Sequence, residues 1–198
     1  FIGKGLAGTG KTILAAKIAT NEIYRDKKIL LLTKTKGLTK FLYVQLKKEN
    51  TNYDHTKMQI YNVDSFVPRV GQRLGIPVNR PSRGMTAENL NEHFDNYIPQ
   101  MCKTIFDSKP HEKYDLVIVD ECQDFHKSWF SSLESITKDD GQMIMFFDPL
   151  QNTLENKVDS MAEILKKPHE INFNSFTLTA NYRNSSSISY LLSNLIKK

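Results

Sequence analysis

The segment from Gly5 to Thr12 (GLAGTGKT) has the residue types and the spacing of a phosphate-binding loop. Glycines let backbone N–H groups turn inward around phosphate oxygens, and the N-terminus of the following helix adds partial positive charge. In such a loop Lys11 reaches the β- and γ-phosphates, and the hydroxyl of Thr12 binds Mg²⁺. The residues expected to surround the phosphates are Gly5, Ala7, Gly8, Thr9, Gly10, Lys11 and Thr12. The pattern therefore predicts a binding site for ATP and Mg²⁺.

A strongly apolar stretch ends in two acids within the segment 114–125 (YDLVIVDECQDF). Asp120 is suited to binding Mg²⁺, either directly or through water, beside a phosphate loop. Glu121 can polarise the attacking water as a general base, which favours hydrolysis over phosphoryl transfer to a small acceptor. Adjacent acids also occur at ordinary solvated strand ends, so this interpretation depends on the phosphate loop that accompanies them.

Two polar segments follow later predicted strands. In the segment 148–152 (DPLQN), Gln151 can reach the γ-phosphate or the attacking water, because an amide both donates and accepts hydrogen bonds. In the segment 178–185 (LTANYRNS), Arg183 can act in cis as an arginine finger that neutralises charge in the transition state. Taken alone, each segment is more often an ordinary surface loop than part of a catalytic site.

Strands and helices alternate along the predicted chain, which indicates an α/β domain with a mostly parallel sheet. The predicted strands are 1–4, 28–33, 58–63, 114–120, 142–147 and 175–179, and the predicted helices are 11–24, 37–48, 86–107, 126–137, 158–166 and 185–197. Prolines and glycines punctuate residues 64–84, which predicts loop structure with short helices at most. Thr86 is the expected N-cap of the helix 86–107, and Pro99 predicts a kink or a break within it. Ligands of such sheets bind beyond the carboxyl ends of the strands, where all the candidate motifs fall.

Composition limits the class of protein. A chain of 198 residues allows one ordinary domain, and its apolar runs exclude disorder as the main state. No apolar run approaches the roughly 18–20 residues of a membrane span, so we expect no membrane partner. Cys102 and Cys122 are too few for a disulfide framework, which predicts a cytoplasmic location. The net charge of +5 permits a nucleic-acid partner without requiring one.

Together these segments resemble the superfamily 1 DNA helicases of the UvrD/Rep type. In that family they correspond to motif I (GLAGTGKT), motif II (DECQD), motif III (DPLQN) and motif IV (NYRN). The segments 31–42 and 60–66 resemble motif Ia and the motif after it, which touches single-stranded DNA. The order and spacing of all six match, so the resemblance covers nearly the whole chain. The stretch from motif II to motif IV is most similar to the subgroup often attached to a nuclease-related domain.

The resemblance implies a P-loop NTPase with a RecA-like parallel sheet flanked by helices. It implies that Lys11, Glu121, Gln151 and Arg183 take part in hydrolysis, and that Gln123 and Asp124 link the nucleotide to motif III. The implied ligands are ATP and Mg²⁺, with Thr12 and Asp120 as the metal ligands, and the implied partner is single-stranded DNA.

The same resemblance implies a domain organisation. Residues 1–66 and 113–184 would form the RecA-like domain, residues 67–112 an inserted helical or loop subdomain, and residues 185–198 the start of a connection to a second RecA-like domain. Nothing resembles motifs V and VI, and the chain begins without Met and after the position of the family's adenine-contacting glutamine. We interpret it as a piece of a longer protein, a trimmed intact domain being the alternative, and expect weak activity or none from the isolated piece.

Some expected nucleic-acid contacts depart from the family. The aromatic residue often found in motif Ia is replaced by Lys34 or Thr35, and the one that often follows motif III is replaced near Leu154. The remaining attraction would be phosphate contacts from lysines, which could equally form a solvated surface face, and they are Lys34, Lys36 and Lys40. Phe66 could stack on a base or lie in the core. The arginines of the insert could form a DNA-facing patch or a solvated loop, and they are Arg69, Arg73, Arg80 and Arg83.

We therefore expect the first RecA-like domain of a superfamily 1 helicase that moves on single-stranded DNA. The main alternative is a nucleotide-gated switch that binds a protein or nucleic-acid partner without translocation, and the missing aromatic residues motivate it. A small-molecule kinase is disfavoured by Glu121 and by the NYRN segment.

Overall fold

The computed structural model describes residues 1–23, 26–49, 54, 56–149 and 174–183. The described strands are β1 (Ile2–Gly5), β2 (Ile29–Thr33), β3 (Met58–Asn62), β4 (Tyr114–Val119), β5 (Thr137–Phe147) and β6 (Ser175–Leu178). The described helices are α1 (Lys11–Ile23), α2 (Lys36–Glu49), α3 (Val63–Leu74), α4 (Ala87–Glu92), α5 (Ile98–Ser108) and α6 (Ser128–Ile136). Among these described helices, none is both long and apolar enough to cross a membrane. The predicted helices 158–166 and 185–197 lie outside the described residues, as does Gln151.

Within the described residues, six strands form one parallel sheet in the order β3-β2-β4-β5-β1-β6. This confirms the predicted α/β fold with a RecA-like sheet. The order places β5 between β4 and β1, although the three strands are far apart in sequence. The carboxyl ends of these three strands therefore lie side by side, and the segment after β6 lies next to the end of β1.

Helices cover both faces of the sheet, which is why its strands read as continuous apolar runs. In β2, Leu30 and Leu32 belong to a core shared with α3, α5 and α6, whereas Ile29 and Leu31 belong to a second core shared with α1 and α2. Successive side chains of a strand point to opposite faces, so one run of five residues supplies both cores.

The prediction of loop structure with short helices at most after residue 64 is wrong for its first part, because α3 is a helix of 12 residues. Its buried positions follow helical spacing despite Pro68, and they are Val63, Phe66, Val67, Val70 and Gly71. At Gly71 a Cβ atom would lie 2.5 Å from Val78 Cγ2, so this glycine permits the chain to return closely over the helix. The predicted start of the insert at residue 67 falls inside α3.

The predicted helix 86–107 is not broken at Pro99, but it contains a π-helical turn directly before α5, the helix that carries this residue. The chain forms α4, a π-helical turn at His93–Tyr97 and then α5, in which Pro99 occupies the first turn. The backbone N–H of Ile98 donates to the carbonyl of His93, five residues back, so the helical hydrogen bonds are already displaced where Pro99 lacks an N–H. The N-cap prediction is confirmed, since the side chain of Thr86 accepts a hydrogen bond of 3.3 Å from the backbone N–H of Asn89.

Candidate nucleotide-binding site

The loop between β1 and α1 has the backbone geometry that its glycines permit. Gly8 and Gly10 have φ angles of 87° and 85°, a left-handed conformation that residues with a side chain rarely adopt. At Gly5, a Cβ atom would lie 2.4 Å from Thr9 Oγ1, which itself donates a hydrogen bond to the carbonyl of Leu6. The predicted phosphate loop is thus a tight turn that leads directly into the N-terminus of a 13-residue helix.

The ammonium group of Lys11 lies inside this loop, and the residue is only 5% exposed. Its Nζ atom donates hydrogen bonds to the carbonyl oxygens of Gly5 and Leu6, at 2.9 Å and 3.3 Å. It also lies 3.6 Å from Oδ2 of Asp148, a residue directly after β5 that is 1% exposed. Sequence reasoning assigned no role to Asp148, because an acid in a turn carries no local signal of what it faces.

Thr12, in the first turn of α1, contacts Asp120, which directly follows β4. The hydroxyl of Thr12 donates a hydrogen bond of 2.6 Å to Asp120 Oδ2, which joins the phosphate loop to the end of β4. Burial raises the pKa of Asp120 to about 6, and the hydrogen bond from Thr12 acts in the opposite direction. These oxygen atoms fit Mg²⁺, which is usually held by one or two protein ligands together with substrate phosphates and water. In the described part of the chain, no group of three or more His, Cys, Asp or Glu side chains is arranged to hold a metal ion by itself.

Glu121 follows Asp120 with a left-handed backbone, at φ 55° and ψ 46°. A non-glycine residue in this conformation costs of order 1–3 kcal/mol, and such residues cluster at functional sites. The Glu121 carboxylate accepts a hydrogen bond of 2.5 Å from Gln123 Nε2, and Gln123 Oε1 accepts one of 3.1 Å from the backbone N–H of Asp148. The link from Gln123 to motif III that the resemblance implied is therefore present as a hydrogen bond across two strands.

The segment after β6 lies directly on the phosphate loop. Asn181 Nδ2 donates to the carbonyl of Ala7 at 3.1 Å, and the backbone N–H of Tyr182 donates to the carbonyl of Gly8 at 2.9 Å. Arg183 follows at the edge of the loop, where its Cβ atom would lie 2.9 Å from a Cβ atom at Gly8. Sequence reasoning missed Asn181 and Tyr182, and the only signal for them was their place within NYRN.

Tyr182 is 82% exposed beside the start of α1, with Cδ2 of its ring 3.8 Å from the position of a Cβ atom at Gly10. So exposed a ring is available to contact a ligand. The predicted catalytic residue Gln151 lies outside the described residues.

The residues predicted to contact nucleic acid differ in how exposed they are. Lys34 Nζ lies 3.9 Å from Asp64 Oδ1, with both side chains about one third exposed, and Lys36 is exposed at the start of α2. Phe66 is 0% exposed and lies in the core, with its ring 5.9 Å from that of Phe106, so the prediction that it could stack on a base is wrong. The helical spacing of the apolar residues in α3 turns this side chain toward the sheet.

Among the insert arginines, Arg73 forms an ion pair within the fold. Arg73 donates to both carboxylate oxygens of Glu112, at 3.1 Å and 2.7 Å, and Lys28 Nζ donates to the same carboxylate. Arg73 therefore ties α3 to the segment before β4, whereas Arg80 and Arg83 are exposed.

Comparison with known proteins gives the family. The family model described as "Schlafen group 3, DNA/RNA helicase domain" matches residues 1–197. Among solved structures, unliganded Pif1 from Bacteroides sp matches with 16% sequence identity and a TM-score of 0.44, and the match covers 98% of this chain and 41% of that chain. The chain thus spans about two fifths of the length of that structure. No curated protein matches the sequence.

The family match covers nearly the whole chain and agrees with the phosphate loop, the acidic strand end and the parallel sheet described above. It confirms a helicase-type RecA-like domain, whereas the UvrD/Rep subgroup and the link to a nuclease remain predictions. This chain belongs to the Schlafen group 3 DNA/RNA helicase domain family.

Proposed function

We propose that this chain is the ATP-binding and ATP-hydrolysing motor domain of a superfamily 1 helicase or translocase that acts on single-stranded DNA. The observation that carries the proposal is the 2.6 Å hydrogen bond between Thr12 and Asp120. It joins a complete phosphate loop to an acidic strand end in the arrangement that phosphoryl-transfer sites use to hold a metal–nucleotide complex.

The residues of the site have separate tasks in this proposal. Backbone N–H groups of the loop bind the phosphates, and the ammonium of Lys11 neutralises the β- and γ-phosphates. Thr12 and Asp120 would hold Mg²⁺, which neutralises charge that develops on the phosphate oxygens. Glu121, held by Gln123, orients the attacking water and takes its proton. Arg183, at the edge of the loop, neutralises charge in the transition state.

Nucleic acid is expected at the carboxyl ends of β2 and β3. Lys34 and Lys36 lie there and can contact the phosphates of a single strand. Movement along the strand requires a second RecA-like domain that closes on the same nucleotide, so the chain alone is expected to hydrolyse ATP slowly.

The nucleotide-gated switch remains the second candidate, because one observation favours it. Phe66 is buried and Lys34 lies next to Asp64. The surface predicted to bind single-stranded DNA therefore has neither an exposed aromatic at residue 66 nor an isolated cation at residue 34. Base–aromatic stacking is worth about 1–3 kcal/mol per base, and a protein without it would hold a single strand mainly through phosphate contacts.

ATP turnover by the protein together with its second motor domain would test the proposal. We expect turnover to rise strongly with single-stranded DNA, and more with long than with short strands, because a translocase remains bound over many steps. Lys11→Ala and Glu121→Gln should both abolish this turnover, whereas Asp139→Asn, an exposed acid at the opposite end of β5, serves as the matched control. Bound ATP without any response to DNA would favour the switch, and unchanged turnover in both site variants would refute the ATP-site assignment.

A further inference from the structure

We propose that Asp148 is a positioning residue that holds the Lys11 ammonium inside the phosphate loop and competes with nucleotide phosphates for it. The inference rests on the proposed function, because it concerns the same nucleotide site. It starts from two nearly buried charges, Lys11 at 5% and Asp148 at 1% exposure, whose atoms Nζ and Oδ2 lie 3.6 Å apart.

The three contacts of the ammonium are of two kinds. Gly5 and Leu6 supply neutral carbonyl oxygens from the loop itself, at 2.9 Å and 3.3 Å. Asp148 supplies a negative charge from a different element, the end of β5. A buried ammonium needs a nearby anion because water screens it poorly, and Asp148 provides that anion when no phosphate is bound.

A nucleotide would change this balance in two ways. Its phosphates offer Lys11 several negative oxygens, so the ammonium can exchange one anionic partner for another without entering water. The Asp148 carboxylate would then remain beside the phosphates with the same sign of charge, which disfavours their binding. Both effects weaken nucleotide affinity, the first through Lys11 and the second by direct repulsion of the phosphates.

The position of Asp148 is fixed from outside the loop. Its backbone N–H donates a hydrogen bond of 3.1 Å to Gln123 Oε1, and the side chain of Gln123 donates a hydrogen bond to the Glu121 carboxylate. The backbone of Asp148 is therefore linked through Gln123 to Glu121, the proposed general base. A role in stability alone would leave nucleotide affinity unaffected by the loss of this charge.

A double-mutant cycle between Lys11 and Asp148 tests the proposal, with the affinity for MgADP measured by titration calorimetry up to millimolar nucleotide. We expect Asp148→Asn to tighten MgADP binding about three- to tenfold, because a buried ion-pair partner and a repulsive charge are removed together. The same change should tighten binding less in the Lys11→Met background, because only the direct repulsion of the phosphates is removed there. Asp148→Glu, which keeps the charge, should remain close to the wild type.

Unchanged or weaker MgADP binding in Asp148→Asn would overturn the proposal, and so would equal tightening in the Lys11→Met background. Asp148→Ser provides a smaller neutral variant, and failure of both neutral variants to fold would show that Asp148 is a structural residue instead. The proposed function fails separately: it is refuted if Lys11→Met binds MgADP as tightly as the wild type.

Discussion

Gln123 offers the sharpest test of how the site holds its proposed general base. Its side chain is nearly buried, and it donates to Glu121 Oε2 at 2.5 Å while it accepts from the backbone N–H of Asp148 at 3.1 Å. The substitution Gln123→Glu keeps an acceptor for Asp148 and changes only the atom that faces Glu121. A donated hydrogen bond thus becomes a contact between two carboxylates.

The expected magnitude follows from that contact. A hydrogen bond to a charged group contributes about 1.5–3 kcal/mol, and this stabilisation of the Glu121 position is lost. Two like charges about 4 Å apart at an effective dielectric constant of 20 repel by about 4 kcal/mol, so one carboxyl must bind a proton or turn away. Either outcome removes a correctly placed base, and the hydrogen-bond loss alone corresponds to a fall in kcat of roughly 10- to 150-fold.

Phosphate release at saturating ATP measures the effect, and titration with MgADP shows whether the site still binds. We expect MgADP affinity to stay within about twofold of the wild type, because the side chain of Gln123 hydrogen-bonds to Glu121 and to the backbone of Asp148, and the bond to Asp148 is kept. Gln100→Glu makes the same chemical change on the exposed side of α5 and should leave both measurements unchanged. A Gln123→Glu protein that is folded and hydrolyses ATP at the wild-type rate would refute the reasoning.

Three other substitutions test the metal position, the exposed aromatic residue and the ion pairs of Glu112 in the segment before β4. Thr12→Val removes a metal-binding hydroxyl, so calorimetry should show weaker binding of ADP with Mg²⁺ and no change without it. Tyr182→Ala should weaken ADP binding by roughly tenfold without lowering the melting temperature, because the 82% exposed ring can stack on a base at about 1–3 kcal/mol. Glu112→Gln should lower the free energy of unfolding at neutral pH, because Arg73 and Lys28 hold the pKa of this carboxyl below its ordinary value of 4.5. That stability is present above the ordinary pKa and is lost as pH falls through the folded-state pKa, so denaturant titrations of both proteins should converge in acid.

The sequence predicted the parts of the fold that depend on local pattern. Apolar runs such as 28–33 and 114–120 identified central strands, because a strand covered on both faces must be apolar at every position. The loop prediction failed at α3, where Pro68 and Gly71 are ordinarily breakers. There the burial of Phe66 and Val67 on one helical face outweighs the local cost of both residues.

In the candidate site too, sequence reasoning found the local motifs and missed the contacts between distant residues. The phosphate loop and the pair Asp120–Glu121 were recognisable because each motif lies within one short segment. The contact between Lys11 and Asp148 was not, because it joins residues separated by the whole length between β1 and β5. No local pattern states which strand ends become neighbours, and this information resides in the strand order.

The strand order also explains why the site depends on β5, although motif I and motif II lie on other elements. In the register of β1 and β5, Lys4 lies opposite Phe147, so Asp148 is level with Gly5 at the start of the phosphate loop. In the register of β4 and β5, Val119 lies opposite Met145, which brings the same strand alongside the turn that holds Glu121 and Gln123. A slip of one residue would turn every β5 side chain to the other face. Such a slip would separate Asp148 from Lys11, so the register of β5 determines whether the loop and the acidic strand end form a single site.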